Sequence, residues 1–131
     1  MGLYNFQARF VPFILDGRKR HTIRARRAKS DKPGNICHLY TGLRQKGAKL
    51  LFRAPCVKVE EVRMEEKFQS SSGISYISVT IDGNELAGDE RVRLARRDGF
   101  LSFQEMMKFW NGRLPFEGQI VHWNFEKRVK R

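Results

Sequence analysis

The chain has 131 residues, with 26 Lys and Arg against 14 Asp and Glu, a formal net charge of +12. A hydrophobic fraction of 40% with 11% aromatics excludes a disordered basic tail and leaves enough apolar surface for one core. No apolar run reaches the length of a membrane span, the N-terminus lacks a secretory signal's apolar core, and two cysteines are too few for a disulfide scaffold.

A single cytoplasmic domain over residues 1–131 is expected, with reduced thiols, no cofactor and no membrane contact. Leu3 to Gln7 alternates as a short strand. Phe10, Phe13 and Ile14 then fall at helical spacing, with Pro12 in the first turn and Gly17 placed to end the helix. His21 to Arg26 reads as a half-exposed strand, and Pro33-Gly34 as a turn before the apolar segment Ile36 to Tyr40. Lys49 to Val62 favours a strand, with a bend or edge expected at Pro55.

Gln69 to Gly73 reads as a loop, Ile74 to Ile81 as a strand, and Asp82-Gly83 as a tight turn. Asp89 to Arg97 predicts a helix ended near Gly99. Ser102-Phe103-Gln104-Glu105 has the spacing of a capping box opening a second helix to Trp110. Gln119 to Phe125 closes the chain as a strand, with a frayed basic tail from about 127. Many strands around two or three short helices, without regular βαβ alternation, predict a small mixed α+β barrel.

The densest chemistry lies in Gly17-Arg18-Lys19-Arg20-His21-Thr22-Ile23-Arg24. A helix that stops at glycine and turns straight into a strand aims Lys19 from the turn. Thr22 and Arg24 share one strand face because side chains repeat every two residues. An ammonium, a hydroxyl and a planar guanidinium directed at one place suit a phosphate, a carbonyl or a nucleobase edge. The wider run from Arg18 to Lys32 holds eight cations against Asp31 alone, which predicts an anion-binding face with nucleic acid as its first partner.

The pattern Gly-x-Lys-x-x-Thr-x-Arg, filled by Gly17, Lys19, Thr22 and Arg24, resembles the signature of the ASCH domain, a family of the PUA-like superfamily of small β-barrels. The segment Leu94 to Phe100, the helix opened by Ser102 and the closing strand around His122-Trp123 resemble that family in order and spacing, so the likeness spans nearly the whole chain except Glu65 to Leu86. The resemblance implies a PUA-like barrel with a cleft that binds RNA. Some bacterial members are amidohydrolases of N4-acetylcytidine, acting through a lysine, a threonine and a glutamate. By position these implied catalytic residues are Lys19, Thr22 and Asp98, the last one methylene shorter than the family's acid. A threonine hydroxyl needs a base to take its proton, and a lysine serves when burial or nearby cations favour its neutral form.

Gly17, Arg24, Arg26 and Tyr40 complete the expected ligand-binding set, Tyr40 as a residue that stacks a base. His21, Cys37, His38, Cys56 and His122 match no metal-ligand spacing, and the thiols read as small buried hydrophobes. No phosphate-binding glycine loop or serine-hydrolase elbow is present. The expected function is binding of RNA or a modified nucleoside, with N4-acetylcytidine deacylation and ribonuclease activity as the enzymatic alternatives.

Overall fold

The computed structural model describes every residue except Met1, Arg44 and Arg131. Seven strands and three α-helices appear in the order β1 (Gly2–Phe6), α1 (Val11–Leu15), β2 (His21–Ala25), β3 (Ile36–Thr41), β4 (Lys49–Gln69), β5 (Ile74–Ile81), β6 (Asn84–Glu85), α2 (Gly88–Arg97), α3 (Phe103–Trp110) and β7 (Phe116–Trp123). Short 3-10 turns at Ala8–Phe10 and Phe125–Lys127 flank α1 and follow β7. The chain is therefore a mixed α+β fold. No helix among the described residues is long and apolar enough to cross a membrane.

The hydrogen-bonded order is β1-β3-β4-β5-β6, with β7 paired to β4 and β2 paired to β7. Among the described residues these ladders have free ends and do not close, which corrects the expectation of a barrel. One physical reason lies at the outer edge of β1, where the Arg27 guanidinium donates to the Leu3 carbonyl at 2.6 Å. A cation thus occupies a backbone acceptor that a closing strand would use.

Two compact units divide the chain. The first gathers the N-terminal segment through Thr22, Arg27–Val59 and the C-terminal segment from Val121. Its core is Tyr4, Phe6, Phe10, Ile14, Cys37, Leu39, Phe52 and Trp123, all buried. β1 runs parallel to β3, and β3 antiparallel to β4, so alternate residues Tyr4, Leu39 and Phe52 meet in register on the inner face. Pro55 does not break β4; it continues as the partner of Ile36. The tail is not frayed from 127, because Val129 exchanges both backbone hydrogen bonds with Arg53, at 2.7 and 2.8 Å.

The second unit comprises Ile23–Arg26 and Glu60–Ile120. Here β4 runs on to Gln69, paired with β5 from Val62↔Ile81 to Gln69↔Ile74. Met64, Val79, Met106 and Ile120 are fully enclosed, each worth roughly 1.5–3 kcal/mol of apolar burial. Asp82 and Gly83 have φ of 49° and 84°, the positive pair that a type I′ turn requires. Ser102 Oγ accepts from Glu105 N at 3.1 Å, as the spacing predicts. The returning Glu105 carboxylate instead accepts from Leu101 N at 3.2 Å. Trp110 is buried, whereas Phe103 and Phe109 are only half-buried on the flank of α3.

Candidate functional site

The turn after α1 is built by backbone hydrogen bonds to the helix's last carbonyls. Asp16 N donates to Pro12 O, Gly17 N to Ile14 O, and Lys19 N to Phe13 O at 2.9 Å. Gly17 sits at φ +86°, and a Cβ there would meet the Phe125 ring at 2.8 Å, so conformation and space both demand glycine. Arg18 folds back on Asp16, donating through its backbone N at 3.0 Å and its Nε at 2.7 Å. The backbone N–H and then the guanidinium hold the Asp16 carboxyl below its ordinary range. Arg20 donates to Gly17 O, pairs with Glu126 and lies over the Phe125 ring.

The two arginines that flank Lys19 thus turn outward onto acids. Lys19 turns inward. It is 3% exposed, with Nζ 5.0 Å from the Phe10 ring centre and 5.9 Å from that of Phe6. His21 and Thr22 follow at 4% and 3% exposure, so β2 begins buried and only its end from Arg24 emerges. The His21 ring meets His122 edge-on with centres 5.3 Å apart.

In the second unit, Asp98 caps the C-terminus of α2, its N–H bonded to Leu94 O at 2.9 Å, and is 5% exposed. Gly99 at φ +98° reverses the chain there. Arg24 is half-buried, and Arg26 is exposed and paired with Glu61. Arg26, Glu61, Arg63, Thr80 and Glu117 line a hollow of about 420 Å³. Arg63 bonds to both Glu65 and Glu117, so both arginines of this hollow are already neutralised by carboxylates.

The basic run is therefore less of an open anion face than its composition predicts. Arg18, Arg20 and Arg26 pair with acids, and Arg27 holds the Leu3 carbonyl and lies 4.4 Å from the Tyr4 ring centre. Lys29 and Lys32 stay exposed. Asp31, the run's one acid, is buried and accepts from Tyr4 Oη. Both thiols are free and buried, and burial, followed by the nearby Asp31 charge, pushes each up from its ordinary range.

Tyr40 is half-buried on β3, alternating with the core residues Cys37 and Leu39 and so facing the other way. The aromatic walls around Lys19 were readable only as core spacing, because contact between β1, the first 3-10 turn and the Lys19 turn is long-range. Arg53, on β4, pairs with His38 and with Val129, a register that no local sequence signal gives. No family model, curated protein or solved structure matches the chain.

Proposed function

We propose that the chain binds RNA, or a modified nucleoside, through the segment from Gly17 to Arg24, with Lys19 and Thr22 as its selective groups. The observation that carries this reading is the burial of Lys19, at 3% exposure, where the other described lysines are exposed or half-buried. Desolvating an ammonium costs several kcal/mol unless its partners compensate. A cation needed only to attract phosphate gains nothing from that cost. Thr22 at 3% exposure adds a hydroxyl two residues into the strand that follows. A buried amine and hydroxyl favour a small, shaped ligand over a bare phosphate chain.

Deacylation of N4-acetylcytidine is the second reading, and the burial of both Lys19 and Thr22, at 3% exposure each, favours it by keeping bulk water from the amine and the hydroxyl. In that reading Lys19 takes the Thr22 proton, the hydroxyl attacks the acetyl carbon, and the C–N bond breaks with the proton returned to the departing amine. Water then releases acetate.

The test is titration with N4-acetylcytidine, cytidine and a short single-stranded RNA by calorimetry, with chromatography of the same mixtures. Saturable binding that Lys19→Met removes supports the binding reading. Release of acetate by the native protein moves the assignment to the enzyme. Neither binding nor turnover refutes both.

A further inference from the structure

The solvent side of the first unit's strands carries a second arrangement. Leu3 pairs with His38, His38 with Arg53, and Arg53 with Val129, so these side chains stand in one row across β1, β3, β4 and the C-terminal segment. Ile36 and Pro55 pair on one side of the row, and Asn5 and Tyr40 on the other. The opposite face of the same strands holds the core residues Tyr4, Cys37, Leu39 and Phe52, so the row faces away from the core. Leu3, Ile36 and Val129 are 45%, 43% and 58% exposed, an apolar content that a plain solvated face does not need.

Within this face, Gly34, Asn35, Ile36, His38 and Arg53 line a hollow of about 420 Å³, and no carboxylate is among them. Arg53 Nε is buried without a hydrogen-bond partner. Arg53 is half-buried, so the donors that a ligand in the hollow would meet are the other N–H groups of its guanidinium. Lys32, in the turn before Gly34, and Lys130, beside Val129, are exposed at its margins.

We infer that this face binds a single strand of nucleic acid, with Tyr40 and His38 stacking bases and Arg53 receiving a phosphate or base oxygen. Charge chooses the occupant: a chain of net charge +12 presents here a hollow lined by Arg53 and His38, with no carboxylate among its lining residues. Aromatic faces tolerate any base, while the cations hold the backbone. Four strands at about 4.8 Å spacing span about 14 Å, room for two or three nucleotides. The inference does not rest on the reading of the segment from Gly17 to Arg24, because no residue of that segment stands in this row.

The experiment uses fluorescein-labelled oligouridylate of eight nucleotides, followed by anisotropy in low salt. Micromolar binding is expected, weakened at least fivefold by Tyr40→Leu and by Arg53→Gln. The double change Arg96→Gln and Arg97→Gln, on α2, removes two charges elsewhere and is expected to weaken binding less. Photo-crosslinking of the same strand carrying 4-thiouridine, mapped by mass spectrometry, should place adducts on His38 or Tyr40. If Arg53→Gln does not fold, Tyr40→Leu and the adduct map decide. Absence of binding, equal losses from the α2 double change, or adducts confined to other segments would overturn the inference. Loss of nucleoside binding in Lys19→Met with this strand still bound separates the two sites.

Discussion

Tyr4 Oη donates to Asp31 Oδ2 at 2.5 Å, both residues buried, and this bond ties the loop after β2 to the first strand. Cys37 Sγ approaches the same oxygen at 3.9 Å, and a Cβ on Gly2 would fall 1.9 Å from it. A carboxylate near the end of a basic run is thus enclosed as a structural anchor. Tyr4→Phe removes this donor and should cost about 1–3 kcal/mol in urea denaturation. Gly2→Ala should cost at least as much, because the clash is with the anchored carboxylate. Unchanged midpoints in both variants would refute the anchor.

Stability should fall at both ends of the pH scale for separate reasons. Burial, the first cause, raises Tyr4 and Cys37 above their ordinary values of 10.0 and 9.0. The unfolded chain therefore loses these protons first, and stability declines as pH rises through about 9. At the acid end, Ser78 and then Lys67 hold Glu85 below 4.5, and Arg93 holds Asp89 below 3.8. Their contributions are present above those values and disappear as pH falls through the depressed range. Thermal melts from pH 2 to 11 check both limbs; a melting temperature still rising above pH 9 contradicts the first.

The thiols should be inert in the folded protein. Cys37 and Cys56 are buried and shifted toward the protonated form, so Ellman's reagent at pH 8 should react at the rate of unfolding. Rapid reaction of either without denaturant would show that this side of the core opens.

Gly17→Ala should destabilise by more than about 1 kcal/mol, since it adds strain at φ +86° to a 2.8 Å approach to the Phe125 ring. If Lys19 is positioned by this turn, nucleoside affinity should fall with it. A variant that is less stable yet binds normally would separate the turn from the site.

Charge in the basic run should be tested at Lys29 and Lys32. Reversing Arg26 sets a carboxylate against Glu61, and reversing Arg27 removes the bond to Leu3 and the contact with the Tyr4 ring. Those changes should lower the melting temperature before they report on binding. Lys29→Gln with Lys32→Gln should leave stability unchanged and reduce the salt dependence of RNA affinity by about two counterions at most. For catalysis, Lys19→Arg should abolish any deacylation, because a guanidinium does not release its proton. Asp98→Glu should raise the rate if the shorter acid limits it. Equal turnover by Lys19→Arg and the native protein would exclude Lys19 as the base.

Local pattern was sufficient wherever one short-range rule dominated. Gly17 ends a helix, Asp82-Gly83 turns a hairpin and Ser102 caps α3, because each depends on neighbours within a few residues. Most strands were legible from alternation, although β4 runs on past Val62 to Gln69, β7 begins at Phe116 before the expected Gln119, and β6 was not anticipated. What the sequence could not determine was which cations face water. Lys19 and Arg18 are adjacent and chemically alike, yet one packs on Phe6 and Phe10 and the other folds onto Asp16. That choice depends on β1 and the first 3-10 turn arriving beside the Lys19 turn, a contact made by packing. The row from Leu3 through His38 and Arg53 to Val129 is likewise invisible in one dimension. Register across four separated segments is decided by burial of their inner faces, and the outer row follows as the other side of that decision.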